Sequence, residues 1–316
     1  MIPAQGIPLS APASHSIWKG PNGLRAGWRL LIFLALVVPT FAGTGIVSDA
    51  LTRRLQVTTG TPLGVTIYLG IFLIPLFFAT WVMTKIEGRT FANYGLPFRR
   101  AFCSQFWLGA MISFVSATLL WLALTALGAY SFGSLAIHGL DIPKYAILWT
   151  VPVFAAALLE DFLYRGYLLF TLTTGIGFWP AAVVTSLLMG GLHYFNPGGH
   201  GLGPVAATEY CLVTALILRR TGDLWMPLGL HAGWNWSEIY FYGIQSSGFH
   251  SRGHLLNAAF HGPVALTGGT FGVEASWLNL VLLLIWGIVF AASLRGTKYP
   301  DPAAIPDPRA KQTPVL

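Results

Sequence analysis

The chain has 316 residues, of which 54% are hydrophobic and only 9% charged, with a formal net charge of +7. A soluble domain carries about 25% charged residues, so this composition excludes an ordinary soluble globule and predicts an integral membrane protein. The 18 Lys and Arg residues are spread over short loops rather than gathered on one face, which fits membrane orientation and argues against a nucleic-acid partner.

Met1 to Lys19 lacks a basic start followed by an apolar core, so no cleavable signal peptide is expected and residues 1–26 read as a cytoplasmic segment. Eight apolar runs follow, near 27–48, 63–84, 104–128, 145–172, 177–196, 203–218, 225–243 and 276–294; a spanning helix needs about 20 residues, and two of these runs are short. No self-similar period of 20 to 50 residues is visible. The expectation is one all-α domain over 27–296, a polytopic membrane bundle of about eight helices. The tail 297–316, rich in Pro, Ala, Lys and Asp, reads as a disordered extension.

With the N-terminus inside, thirteen basic residues fall on the cytoplasmic side and four (Arg53, Arg54, Lys144 and Arg252) outside, with Arg165 left in the membrane. That asymmetry predicts an N-in, C-in arrangement; the expected location is a bacterial inner membrane. Helix geometry raises one conflict. Glu160 and His193 lie at similar depth from a turn at Gly175, whereas His231 follows Trp225 by only six residues and would fall near the opposite face. Either the 194–224 segment dips in and returns, a re-entrant or broken element marked by Gly201, Gly203, Pro204 and Pro227, or the helix expected from 225 starts elsewhere.

The segment 243–274 is long and Gly-rich and carries His250, His254 and His261. Their spacing lacks a helical frame, so a lid or surface loop is preferred to a metal site. Cys103 and Cys211 make no disulfide framework and read as small buried hydrophobes.

Glu160-Asp161-Phe162-Leu163-Tyr164-Arg165 interrupts an otherwise apolar run. Each charge at bilayer depth costs at least ~2.5 to 3.5 kcal/mol, so this cluster implies mutual pairing, a function, or both. Asp161 and Arg165 are four apart on one helical face and are expected to pair structurally. Glu160 sits about 100° round the helix and is free for another neighbour. Further on, Gly190-Gly191 permits a close helix approach before His193, and Asn196-Pro197 should end that helix. His231 and Asn235 share a face at i,i+4. Glu160, His193, His231 and Asn235 together supply a carboxylate, two imidazoles and an amide, the inventory for activating water against a carbonyl. Each taken singly can be structural; four separate desolvation costs in one stretch argue for one site.

These residues, Glu160-Asp161 with Arg165, Met189-Gly190-Gly191-Leu192-His193, and Arg220-Thr221-Gly222-Asp223-Leu224-Trp225 leading into His231 and Asn235, resemble the three-motif pattern of the Abi/CAAX-prenyl-protease family, the CPBP intramembrane proteases. The resemblance covers about 145–240. The second acidic residue is Asp161 where the family has Glu, and Met189 stands at the family's aromatic position. The resemblance implies an eight-helix membrane peptidase, with a protease-like core over 145–243, acting near the C-terminus of a prenylated protein or, in bacterial members, on another peptide or in bacteriocin immunity. Carried over, Glu160 is the general base on a water, His193 orients that water, and His231 and Asn235 bond the oxyanion. A Zn²⁺ held by Glu160, His193 and His231 is the competing version, and a metal-free, glutamate-activated water is preferred slightly. A membrane transporter and a non-catalytic scaffold on the same fold are the other function classes.

Overall fold

The computed structural model describes residues 17–20, 23–58 and 60–300. Every predicted apolar run is helical. α1 (Ala26–Arg54) and α2 (Pro62–Glu87) form an antiparallel pair. The Thr61 hydroxyl caps α2 by accepting from the Gly64 N–H, and Gly88 ends it at φ 65°. α3 (Ser104–Ala126) follows a loop with two short 3-10 turns. α4 (Asp141–Asp161), a π-helical turn (Phe162–Leu168) and α5 (Leu169–Ile176) then run as one 36-residue rod. α6 (Phe178–His193) stops just before Asn196-Pro197, as expected. α7 (Gly203–Thr221), α8 (Trp225–Trp236, continued by a π turn at Ser237–Phe241), the one-turn α9 (Val264–Thr267) and α10 (Trp277–Ser293) complete the bundle. Among the described residues the strands are two-residue pairs: Lys19–Gly20 with Gly23–Leu24, and Tyr130–Ser131 with Ala259–Phe260. The protein is an all-α membrane bundle.

Among the described residues, four helical stretches are long and apolar enough to cross a bilayer: 26–54, 62–87, 104–126 and 141–176; α6 and α10 are shorter apolar helices. Their outward faces present large hydrophobics, such as Leu34 and Val38 on α1, Ile74 and Phe78 on α2, Leu119 on α3, Leu187 on α6 and Ile288 on α10. Only lipid satisfies a girdle of this kind without cost.

α8 is the opposite case. Its residues 225–232 are all buried, and it lies at the centre of the bundle, packed chiefly on α3. Glycines make the approach possible: a Cβ at Gly229 would strike the Phe106 carbonyl, and one at Gly233 the Ala110 carbonyl. The Ser113 hydroxyl donates to the Leu230 carbonyl across the same seam. The start of α8 is pinned by Asp223, which accepts from the Trp225 N–H at 3.1 Å and pairs with Arg100 at 3.1 Å.

The depth conflict resolves through this helix. α7 is unbroken from Gly203 to Thr221, so irregular backbone in 194–224 is confined to the 194–202 turn and the short link before α8. His231 stacks edge-on against Tyr210, halfway along α7, at 5.4 Å between rings. The few residues from Trp225 to His231 therefore reach the middle of the bundle.

Basic residues sort to two ends. At one, Arg29 pairs with Glu87 at 2.7 Å and bonds Thr174, the Arg219 guanidinium lies over the Phe178 ring, and the Lys298 N–H donates to the Arg219 carbonyl. At the other, the Arg252 N–H bonds the Gly60 carbonyl and its own carbonyl accepts from Trp149. One expectation changes. Cys103 is exposed rather than buried, because it precedes α3 in a surface turn. Tyr299, within the segment read as a tail, is 2% exposed, its ring set against Phe170. Residues 1–16, 21–22 and 301–316 of the expected terminal segments lie outside the described residues.

Gly229→Ala is expected to overpack the α3–α8 seam at a cost of about 1–3 kcal/mol, read as a lower unfolding temperature in detergent with far-UV helicity retained. An unchanged Tm would mean that the seam is looser than described.

Candidate active site

The charged cluster on the α4–α5 rod resolves into two carboxylates with separate neighbours. Asp161 and Arg165 are both fully buried and form the expected i,i+4 ion pair. The same Asp161 Oδ1 also lies 3.0 Å from His231 Nδ1, a contact that the sequence does not announce. A carboxylate only accepts, so His231 donates from Nδ1–H and turns Nε2 away from Asp161. Arg165 is held further by the Met189 sulfur at 3.5 Å and lies 5.0 Å from the centre of the Tyr210 ring. Met189 thus takes part in positioning the arginine.

His193 is fixed in a parallel way. Its Nδ1 is 2.9 Å from the Met189 carbonyl one turn back, so Nδ1 carries the proton and Nε2 presents a lone pair. Gly190 lets α6 close on α7, since a Cβ there would collide with the Pro204 carbonyl and Thr208; Gly191 faces open space and has no such role.

Both Nε2 atoms converge on Glu160. Its Oε2 is 3.8 Å from His231 Nε2 and 4.0 Å from His193 Nε2. These gaps exceed a hydrogen bond and match the reach of one bridging water. Glu160 keeps 32% of its side chain accessible, whereas Asp161 keeps none. The π turn begins one residue after Asp161; such turns recur at functional sites.

These groups line a cavity with Asn235, Tyr210, Trp234, Ser247, Phe271, Glu274 and others; about 60 Å³ of it is open to the centres of water molecules. That is room for several waters. The four predicted residues, Glu160, His193, His231 and Asn235, all lie on this cavity, and Asn235 is 8% exposed. As a zinc site the arrangement is wide. Ligand atoms of a tetrahedral zinc lie about 3.4 Å apart, and among the described residues no three His, Cys, Asp or Glu are gathered closely enough to hold an ion. The loop histidines disperse: His250 faces Gln245, His254 the Ser251 carbonyl and His261 Ser131.

Sequence reasoning missed Glu274 and Ser247 on the cavity wall and Glu238 behind it. Ser247 donates to Glu274 Oε2 from both its N–H and its hydroxyl. Burial nevertheless holds the Glu274 carboxyl above the ordinary glutamate range. Glu238 had a signal: it follows Asn235 by three residues inside an apolar run, and the cost argument that singles out Glu160 applies to it equally. Glu274 and Ser247 lie in the Gly-rich loop, where no periodicity fixes position.

Residues 142–237 match the family model described as type II CAAX prenyl endopeptidase Rce1-like, in agreement with the motif resemblance. The matched segment runs from the start of α4 to the end of α8 and contains Glu160, Asp161, Arg165, His193, His231 and Asn235. No curated protein matches the chain.

Arg165→Ala leaves Asp161 buried without its counter-ion, a loss of about 3–5 kcal/mol. The expected result is a clear fall in the unfolding temperature in detergent, reduced when Asp161→Asn is added to remove the stranded charge. Equal stability of Arg165→Ala and the parent would remove the pair from any structural role.

Proposed function

We propose that this integral membrane protein is an intramembrane endopeptidase in which Glu160 activates a water oriented by His193, while His231 and Asn235 face the carbonyl oxygen. The Rce1-like match indicates a CAAX-type membrane protease of the hydrolase class. The observation that supports the finer reading is the convergence of one carboxylate oxygen and two imidazole Nε2 atoms at 3.8 and 4.0 Å on the wall of a cavity with room for water.

The water donates one proton towards Glu160 and the other to the His193 Nε2 lone pair, which turns its oxygen lone pair towards the scissile carbonyl. Glu160 accepts the first proton as the C–O bond forms. Charge then develops on the carbonyl oxygen. Asn235 donates to it from its amide, and His231 donates from Nε2 when it carries a second proton, a charge that the Asp161 carboxylate faces. Each such donor contributes about 2.7–4 kcal/mol in the transition state. No step runs through a metal.

The substrate in this reading is a peptide or the C-terminal segment of a prenylated protein, whose lipid occupies the bilayer while the scissile bond enters the cavity. The sorting of basic residues to two ends supports an N-in, C-in orientation, and a bacterial inner membrane is the proposed location.

Glu160→Gln is expected to abolish release of a C-terminal peptide from farnesylated or plain substrates, followed by mass spectrometry, with the unfolding temperature kept near that of the parent. Full cleavage by that variant would refute the base assignment, and solute flux in liposomes that survives it would favour a carrier. Cleavage is also expected to persist after exhaustive chelation; activity lost to chelators and restored by Zn²⁺ alone would turn Glu160 from base into ligand.

A further inference from the structure

We infer that Glu274 is the acid that protonates the departing amine, an assignment that rests on the peptidase reading above. Glu274 lines the same cavity as Glu160 but comes from a different element, the short turn Val273–Ala275 before α10. It is near enough to His193 and His231 to interact with both electrostatically.

Its position is enforced from three directions. Ser247 occupies Oε2 with two donors, while Oε1 makes no hydrogen bond among the described residues. Asn279 donates to the Glu274 carbonyl at 2.9 Å. Asn196, on the turn after His193, holds the Ser247 carbonyl at 3.2 Å. Ser247 itself sits at φ 48°, in the left-handed region that residues other than glycine enter at a cost. A serine held there presents both its donors to one carboxylate oxygen and leaves the other oxygen for the cavity.

Beside Glu274 lies Glu238, which is 0% exposed, with Ser246 and Trp234 as its polar neighbours. The two carboxyl groups feel each other, and the groups facing Glu274 are Ser247, Glu238, His193 and His231, with no lysine or arginine among them. With a second carboxylate near it and no lysine or arginine facing it, Glu274 sits in a setting of low polarity that suits it to hold a proton. Glu160 is the more accessible carboxylate, suited to accept a proton; the Glu238–Glu274 pair is suited to give one.

The step balances. Water oxygen bonds to the carbonyl carbon and its proton passes to Glu160. The tetrahedral adduct expels nitrogen: the C–N electron pair goes to nitrogen, which takes the proton from Glu274. Acid and amine leave, and the proton on Glu160 returns to the Glu238–Glu274 pair through cavity water.

The test compares two leaving groups in the full-length protein in detergent. One substrate is a peptide with an ordinary scissile amide. The other carries a 4-nitrophenyl ester at the same carbonyl, whose phenolate departs without a proton. Glu274→Gln, which keeps the size and the Ser247 contact, is expected to lower amide cleavage by at least about 100-fold and ester cleavage by less than about tenfold. Glu274→Asp should retain more amide cleavage than Glu274→Gln. Glu160→Gln should lose both substrates. A parallel fall on both substrates in Glu274→Gln, or no fall on either, overturns the acid assignment while leaving the peptidase reading intact. A parent protein that cleaves neither substrate overturns both. If Glu274→Gln does not fold, Glu238→Gln carries the same comparison: selective loss of the amide supports the proton store, and equal loss overturns it.

Discussion

One oxygen atom organises the centre of this bundle. Asp161 Oδ1 accepts from the Arg165 guanidinium on its own helix and from His231 on α8, so a single buried acceptor fixes both the local rod and the position of a second helix against it. Pairing alone would neutralise the cluster; a hydrophobic replacement could fill the same space without the desolvation cost. The added contact to His231 gives the ion pair a use that a hydrophobic substitute lacks, because it sets which imidazole nitrogen faces the cavity.

Packing carries that order outward. α8 meets α3 through Gly229 and Gly233, with backbone nearly touching backbone, and α6 meets α7 at Gly190. Interiors packed at this density hold side chains in single rotamers. The imidazole of His193, tied to the Met189 carbonyl, and that of His231, tied to Asp161, reach Glu160 from two different helices at nearly equal range. Preorganisation of this sort is what lets a weak nucleophile be activated without reorganising its surroundings.

The sequence made the cost of burying charge readable, and most of the site follows from that cost. Glu160, Asp161, Arg165, His193, His231 and Asn235 each stand out against apolar neighbours, and i,i+4 spacing foretold the Asp161–Arg165 pair. What it left open was distance between helices. Nothing in the spacing of Asp161 and His231 announces their contact, and six residues from Trp225 to His231 looked too few until α7 and α8 were seen to meet at Tyr210. Glu274 and Ser247 escaped notice for another reason: loop residues obey no period, and their placement depends on Asn196, Asn279 and an unfavourable backbone angle at Ser247.

The π turn at Phe162–Leu168 changes how the rod should be read. A wider turn absorbs more residues per revolution than an α-helix does, so a helical wheel drawn through residues 141–176 loses phase at that point. Faces deduced for α5 by counting from Glu160 are rotated away from their true neighbours. A chain one residue shorter at this place could run through as plain α-helix with both flanks keeping their partners, and would forfeit only the local detour that follows the two acids.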